Sequence, residues 1–390
     1  MPLKVQRKRL GKRIRDRLLR RSTKRFRYHL DGLGRTLMIR MDLIKRCNMR
    51  CFMCHYPAVA DSGAPAETME IGLFEKIADQ VFPYAYHLAL SCAYEPLLHP
   101  EFDRILAITS RHDVPEWGIV TNGLLLNESA AEAMIRHRMT VVSVSMDGAT
   151  REMYRGIRGV DALERVIGNM RSLQEMKRRA GSELPHLFVN FVLMRRNLGE
   201  IVPFLQLCRE LGAEDVTFVH VVPRSRENPE SLLNAPDEYV KAYAEAKRFL
   251  EGGKTRVLLP APFTREELAP ADKPQRERRL QETRTDDLKA MGARKTSESV
   301  EAAGDDIYCV SPWMMLFISP TGDVHPCSHR QYDPPFSNLA TTPFEEIWNN
   351  PAFLELRRRL YCHELEGRCL NCEAQTPNSE PMTRRPIRIL

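Results

Sequence analysis

The sequence of 390 residues contains no long apolar run, although 43% of its residues are hydrophobic. A helix that crosses a bilayer needs about 20 consecutive apolar residues, and the chain has no such stretch. Its first residues are basic, and they lack the apolar core that a secretory signal peptide requires. We therefore expect a cytoplasmic protein without a transmembrane segment.

Aromatic residues are missing from Thr264 to Asp305, where basic and acidic residues are interleaved. Such a tract buries little apolar surface, so it is predicted to be a mobile linker. Internal repeats with a period of 20–50 residues are also lacking, which excludes a solenoid or a propeller.

Acidic residues are scarce in the first 27 positions, which hold thirteen Lys and Arg but only Asp16. The remainder of the chain is mildly acidic, since the net charge of the whole is +7. Leu10, Ile14 and Leu18 fall on one face of a helix. This arm is predicted either to make peripheral contact with an anionic membrane or another polyanion, or to be solvated and partly disordered.

Disulfide bonds are not expected, because the ten cysteines occur without a secretory signal. Cys47, Cys51 and Cys54 have the spacing C-x3-C-x2-C within the stretch from Met41 to Tyr56. Three thiolates on one loop can each bind one corner of a cubic iron–sulfur cluster, and the missing fourth cysteine leaves one iron open to a small molecule. The alternatives are a zinc site or three buried thiols.

Short apolar runs alternate with helical patterns between Leu37 and His220. The predicted strands are Leu37–Ile44, His87–Ser91, Trp117–Thr121, Thr140–Met146, His186–Met194 and Asp215–His220. The predicted helices between them lie near Ile71–Val81, Glu101–Ser110, Glu128–Arg136, Val160–Arg178 and Leu198–Leu211. This alternation predicts parallel βα units with right-handed crossovers, and functional residues at the carboxyl ends of the strands.

Polar motifs follow three of these strands. In chain order they are Ala93-Tyr94-Glu95-Pro96, Thr121-Asn122-Gly123 and Ser143-Val144-Ser145-Met146-Asp147-Gly148. A carboxylate can bind an ammonium group, and Ser with a carboxylate suits ribose hydroxyls. Taken alone, Glu95 is better explained as part of a solvated turn than as a ligand. For Thr121-Asn122-Gly123, a plain turn and a ligand role are equally good explanations.

Four cysteines near the C-terminus form a second set with ligand-like spacing. They are Cys309, Cys327, Cys369 and Cys372. A hairpin pattern lies between the first two, a helix pattern over Phe344–Leu360 follows, and the last two form C-x2-C. On spacing alone, a zinc ribbon and an iron–sulfur site are equal alternatives.

The stretch from Met41 to Tyr56 resembles the cluster-binding loop of the radical S-adenosylmethionine (radical SAM) superfamily. The motifs that follow the strands resemble its G-G-E-P, T-N-G and S-x-D-G segments, with Ala93 and Tyr94 in place of the glycines. The resemblance implies an α/β fold, an open six-unit (β/α) partial barrel. Its SAM-binding 4Fe–4S cluster would be ligated by Cys47, Cys51 and Cys54. The implied SAM contacts are Met53 at adenine, Glu95 at the amino group, Asn122 as a further ligand, Ser145 and Asp147 near the ribose or substrate, and Arg195 near the carboxylate.

The second cysteine set resembles the SPASM/twitch module, a small α+β domain that binds auxiliary 4Fe–4S clusters. No cysteine follows Cys372, so the resemblance is to the shorter twitch form with one auxiliary cluster. Cys362 and His363 are alternative ligands in this set, whereas Cys92 and Cys208 are predicted to be core thiols. The expected domains are a basic arm (1–36), a radical SAM core (37–223), a helix, strand and charged linker (224–305), and the auxiliary module (306–390).

We therefore expect an enzyme that cleaves SAM to a 5′-deoxyadenosyl radical and takes hydrogen from an unidentified substrate. Its electron donor would be of the flavodoxin or ferredoxin type. Only 46 residues precede Cys47, too few for a leader-peptide-binding domain, which favours a small molecule, a sugar or a lipid headgroup as substrate. The alternatives are a peptide-modifying radical SAM enzyme and a non-catalytic zinc- or nucleic-acid-binding protein.

Overall fold

The computed structural model describes residues 34–61, 63, 66–222, 226–251, 255–268, 309, 311–361, 367–369 and 372. The basic arm and most of the predicted linker lie outside the described residues. Ten strands are present in this part of the chain: β1 (Leu37–Met41), β2 (Ala85–Ala89), β3 (Glu116–Thr121), β4 (Val141–Ser145), β5 (His186–Leu193), β6 (Asp215–His220), β7 (Arg256–Leu258), β8 (Met315–Ile318), β9 (Asp323–His325) and β10 (Ser337–Asn338).

All ten strands belong to one sheet with the order β10-β9-β8-β1-β2-β3-β4-β5-β6-β7. The strands from β1 to β7 pair in parallel with their neighbours, and β8 pairs in parallel with the other edge of β1. Only the pairs β8–β9 and β9–β10 are antiparallel. The predicted α/β fold, a partial barrel of parallel βα units, is confirmed.

The strand register places buried aliphatic residues on one face of the sheet, whereas the other face carries most of the polar side chains beside a small apolar cluster with Val141 and Phe188. One face carries buried aliphatic residues such as Ile39, Leu88, Ile119, Val142 and Val189. The other face carries polar side chains, among them Arg40, Ser143, Ser145, Asn190 and Thr217. Crossover helices cover the outer face of a parallel barrel, so the polar face is its interior.

The described helices are α1 (Tyr56–Asp61), α2 (Ile71–Val81), α3 (Phe102–Thr109), α4 (Glu128–Arg136), α5 (Arg151–Arg158), α6 (Leu163–Arg179), α7 (Ile201–Glu210), α8 (Pro236–Leu250), α9 (Arg265–Leu268), α10 (Ser311–Met314), α11 (Phe344–Trp348) and α12 (Pro351–Tyr361). None of these is long and apolar enough to cross a membrane.

Several helical regions differ from the prediction, since α1, α5, α9 and α10 were not predicted and the C-terminal helix is divided. Helix α5 was missed; the Thr150 side chain caps its first turn, and Gly159, in the left-handed region at φ +76°, ends it. The helix predicted over Phe344–Leu360 is divided into α11 and α12. Pro351 opens α12, where its fixed φ suits the first helical position and its missing N–H costs nothing.

The chain separates into two compact units. The larger comprises Gly34–Pro262 and Met315–Phe344, and so contains the whole sheet. The smaller comprises the described residues of Phe263–Met314 and Glu345–Ile387. The auxiliary module was expected to begin at residue 306. Strands β8, β9 and β10 follow that position and nevertheless belong to the sheet of the larger unit. The predicted domain limits stay predictions.

The smaller unit is organised around one buried arginine. The guanidinium of Arg357 donates hydrogen bonds to the carbonyl oxygens of Pro312 at 2.9 Å and Trp348 at 2.8 Å. It also lies over the Trp348 ring, 4.4 Å from the ring centre. These contacts join α10, α11 and α12, and they give a fully buried cation polar partners and a π face.

Candidate functional site

The cysteine loop follows β1 and is held by the C-terminal end of α5. The N–H of Phe52 donates to the Ile157 carbonyl oxygen at 2.8 Å. A Cβ at Gly159 would lie 3.0 Å from the Arg50 carbonyl oxygen. Glycine at this position therefore both ends the helix and lets the loop backbone approach it closely.

Each thiol of the loop has a nitrogen donor close to its sulfur. The pairs are Cys47 with Asn122 Nδ2 at 3.8 Å, Cys51 with Arg158 Nη1 at 3.7 Å, and Cys54 with the backbone N–H of Tyr56 at 3.4 Å. Hydrogen bonds to cysteine sulfurs stabilise thiolate charge and are one of the means by which proteins tune iron–sulfur clusters. The surroundings of the three sulfurs thus fit a cluster.

Burial shifts the thiols of Cys47 and Cys51 toward their neutral form. It raises the pKa of Cys47 to about 11, and it also raises the pKa of Cys51. These thiols release their protons when a metal centre supplies compensating positive charge. Among the residues that the structure describes, no three Cys, His, Asp or Glu side chains are grouped tightly enough to hold one metal ion. Ligation by all three cysteines therefore stays a prediction.

Glu95 links the loop to the ends of β2 and β3. Its backbone N–H donates to the Arg46 carbonyl oxygen at 3.0 Å. Its carboxylate is 2% exposed and accepts from the Leu97 N–H at 3.1 Å, the Thr121 hydroxyl at 2.8 Å and the Asn122 N–H at 2.8 Å. Burial raises the pKa of Glu95, and these donors oppose the shift. A carboxylate has about four acceptor sites, so one site on Oε2 remains for a ligand ammonium.

Asn122 lies between this carboxylate and the cysteine loop. Its side-chain Nδ2 donates to Asn48 Oδ1 at 2.7 Å and points at Cys47 Sγ. The structure therefore brings two predicted SAM contacts, Glu95 and Asn122, together with a predicted cluster ligand. Gly123 beside them has a positive φ of +76°, and a Cβ there would lie 2.9 Å from one side-chain carbon of Val144 and 2.9 Å from one of Val166.

Asp147 is fully buried and already bound by protein groups. It takes the left-handed conformation, at φ +68°. Its Oδ1 accepts from the Val192 N–H at 2.7 Å, and its Oδ2 lies 2.6 Å from Arg158 Nη2 in an ion pair whose angle is poor for a hydrogen bond. Burial raises the pKa of Asp147, and the Arg158 charge opposes this. Its predicted contact with the SAM ribose or the substrate stays a prediction.

The other predicted SAM contacts are dispersed. Ser145 is half-buried on the interior face, level with Asn190 of β5. Met53 packs against an apolar cluster that contains Met194. The Arg195 side chain is 54% exposed and pairs with Glu238 Oε1 at 3.2 Å, so it does not join the group formed by Glu95, Asn122 and the loop.

Three buried polar residues near the strand ends were missed. Arg158 joins Asp147 to Cys51. Asn197 Nδ2 donates to the carbonyl oxygens of Asp147 at 3.0 Å and of Val192 at 2.9 Å. Asp42 accepts from the backbone N–H groups of residues 92 and 93 at 2.7 and 3.0 Å, and burial raises its pKa from 3.8 to about 6. The sequence offered a local signal only for Arg158. It precedes Gly159, and an Arg followed by Gly often marks the end of a helix.

The second cysteine set is divided between the units. Cys327 follows β9 in the larger unit, whereas Cys309, Cys369 and Cys372 belong to the smaller one. Their convergence on one cluster stays a prediction. Cys362 and His363 lie outside the described residues. Cys208 is fully buried in α7, and burial raises its pKa, as expected for a core thiol.

Comparison with known proteins identifies the family. The Radical SAM superfamily profile matches residues 41–208, and the profile of an iron–sulfur cluster-binding domain, SPASM, matches residues 309–373. The chain thus contains a radical SAM domain, followed by an iron–sulfur cluster-binding domain. These two domains imply 4Fe–4S clusters and SAM as cofactors.

Curated relatives match only part of the radical SAM chain. A probable GTP 3′,8-cyclase of Saccharolobus islandicus (strain Y.N.15.51 / Yellowstone #2) is 28% identical over 195 residues, which are 50% of this chain and 60% of that protein. A probable GTP 3′,8-cyclase of Sulfurisphaera tokodaii is 26% identical over 195 residues, 50% of this chain and 59% of that protein. The chain thus spans less than two thirds of the length of these relatives.

Solved radical SAM structures share the fold. Streptococcus suis SuiB bound to S-adenosylmethionine superposes with a TM-score of 0.58 at 14% identity, over 83% of this chain and 68% of that chain. Native anSMEcpe with bound AdoMet superposes with a TM-score of 0.57 at 16% identity, over 86% of this chain and 87% of that chain. At these identities the likeness concerns the fold alone.

Proposed function

We propose that this protein reductively cleaves SAM and uses the resulting radical to abstract hydrogen from an unreactive C–H bond. The observation that supports this is the loop of Cys47, Cys51 and Cys54, in which each sulfur has its own nitrogen donor. When bound, a 4Fe–4S cluster with an open iron supplies the electron that cleaves SAM.

The residues around the loop would hold SAM and exclude water. Cys47, Cys51 and Cys54 would ligate the cluster. Glu95 has one carboxylate site left, and it would accept a hydrogen bond from the SAM amino group. Asn122 would keep the Cys47 sulfur and the Glu95 carboxylate in register, because it donates to both.

An auxiliary cluster is the proposed role of Cys309, Cys327, Cys369 and Cys372. Four cysteine ligands fill all the corners of a cubic cluster, which suits electron transfer and leaves no iron open for substrate. The SPASM profile over residues 309–373 supports this proposal. One auxiliary cluster is proposed, as in the twitch form, because these four cysteines supply the ligands of one cluster.

A small molecule, a sugar or a lipid headgroup is the favoured substrate. The curated relatives carry the name of an enzyme that acts on a nucleotide, GTP, which agrees with a small molecule. The polar interior face, with Ser145, Asn190 and Thr217, can hydrogen-bond such a ligand. We further propose a flavodoxin- or ferredoxin-type donor, a cytoplasmic location and peripheral contact of the basic arm with anionic membranes.

The central experiment compares two cysteine variants after anaerobic reconstitution. Cys51→Ala should lose one 4Fe–4S cluster per chain and all formation of 5′-deoxyadenosine under dithionite. Cys208→Ala is the matched control, because that thiol is buried in α7, away from the loop, and its loss should leave both quantities unchanged. Continued formation of 5′-deoxyadenosine by Cys51→Ala would exclude the proposed function.

A further inference from the structure

A buried ion pair stands directly behind one of the proposed cluster ligands. The side chains of Arg158 and Asp147 are 8% and 0% exposed, and Arg158 Nη2 lies 2.6 Å from Asp147 Oδ2. The second terminal nitrogen of Arg158, Nη1, lies 3.7 Å from Cys51 Sγ. One guanidinium thus touches a carboxylate and a thiol at the same time.

The geometry of Arg158 is fixed from several directions. Its Nε donates to the Met146 carbonyl oxygen at 3.3 Å. Asp147 is itself held by the Val192 N–H at 2.7 Å, and its carbonyl oxygen accepts from Asn197 Nδ2 at 3.0 Å. The guanidinium therefore cannot move away from Cys51 without breaking its contacts with Met146 and Asp147, which follow β4.

A buried cation is costly, so its position needs an explanation beyond packing. Asp147 supplies one negative charge, and it already compensates Arg158. The guanidinium nevertheless also faces the Cys51 sulfur through Nη1, and a positive charge at this distance favours negative charge on that sulfur. The same charge would favour extra electron density on a cluster that Cys51 ligates.

We propose that Arg158 is a positioning residue that raises the reduction potential of the SAM-binding cluster through Cys51, and that Asp147 aims it. The proposal rests on the proposed function, since it requires a cluster on this loop. A raised potential makes the cluster easier to reduce by a physiological donor.

The test is a redox titration of the reconstituted protein followed by electron paramagnetic resonance, without SAM. The loop cluster is identified beforehand as the signal that changes when SAM is added, because only an open iron takes the cofactor. In Arg158→Gln, the ratio of reduced to oxidised cluster at a fixed potential should fall at least about tenfold, which is about 59 mV for one electron. Arg155→Gln is the matched control, because Arg155 is exposed on the same helix and its loss should leave the potential unchanged.

Arg158→Lys separates charge from shape. Lysine keeps the charge and loses the fork that contacts both partners, so its potential should lie between those of the wild type and Arg158→Gln. If Arg158→Gln does not retain iron, a lowered potential in Arg158→Lys supports the proposal. Wild-type potentials in every Arg158 variant that carries the cluster would overturn it. Absence of any SAM-responsive signal in the wild type would instead refute the proposed function.

Discussion

Replacing Glu95 by glutamine removes one charge and changes one acceptor into a donor. The carboxylate accepts from Leu97 N–H and the Thr121 hydroxyl on Oε1, and from Asn122 N–H on Oε2. A glutamine side chain has one oxygen, which can occupy either site. Its NH2 group then faces the Leu97 or the Asn122 N–H, and neither backbone donor can turn away.

The expected cost follows from that conflict. Whichever way the amide lies, one buried backbone N–H loses its acceptor, and such a loss costs about 1–3 kcal/mol. Glu95→Gln should therefore lower the free energy of unfolding by about that amount. Loss of the charge should also weaken SAM binding by about 1–3 kcal/mol, or roughly 5- to 150-fold.

Denaturant unfolding and calorimetric titration of SAM into reconstituted protein measure the two effects. Glu101→Gln is a control from the same region, because its side chain is 38% exposed and pairs only with Arg104. The reasoning assumes an ionised Glu95, whereas burial raises its pKa. A protonated Glu95 would already donate one hydrogen bond, and glutamine would imitate it. Unchanged stability and unchanged SAM affinity would therefore refute the assigned role.

Two further variants test other parts of the molecule. Burial raises the pKa of Asp42 from 3.8 to about 6, so the folded protein holds this proton more tightly than the unfolded chain does. The folded protein therefore loses about 3 kcal/mol of stability as the pH rises from 3.8 to about 6. Asp42→Asn should remove this loss and be more stable than the wild type at pH 7 in denaturant unfolding; equal stability at pH 7 would contradict it. The double variant Cys369→Ala, Cys372→Ala should fall from about eight to about four irons per chain in an iron assay and still cleave SAM, whereas full iron content would exclude the auxiliary site.

Local patterns were sufficient to predict most of the sheet and several helices. Strand β6 (Asp215–His220) and helices α2 (Ile71–Val81) and α4 (Glu128–Arg136) have the predicted bounds. Each is a short apolar or amphipathic run bordered by turn residues, and such signals lie within one element. The expected gathering of Glu95 and Asn122 beside the cysteine loop followed from the rule that parallel strands end at one edge.

Residues whose role depends on distant partners were not predictable in this way. Arg158 and Cys51 are 107 positions apart, and nothing near either residue in the sequence indicates their contact. The S-x-D-G pattern predicts that Asp147 lies near the SAM ribose or the substrate, and that stays a prediction; nothing in the pattern indicates its ion pair with Arg158. The SAM contact of Arg195 also stays a prediction, and its pairing with Glu238, 43 positions away, has no local signal in the sequence.

The pairing of β8 with β1 leaves one edge of β1 unpaired while the chain is being synthesised. Met38 pairs with Met315, which follows it by 277 positions. At a synthesis rate of about 5–20 residues per second, β1 waits roughly 15–60 s on the ribosome before this neighbour emerges. During that interval the strand beside the cysteine loop has an open row of backbone N–H and C=O groups, which is a template for wrong pairing with other chains. A shortened protein that ends before Met315 would keep that edge permanently, so the barrel of this enzyme is a poor candidate for expression without its C-terminal strands.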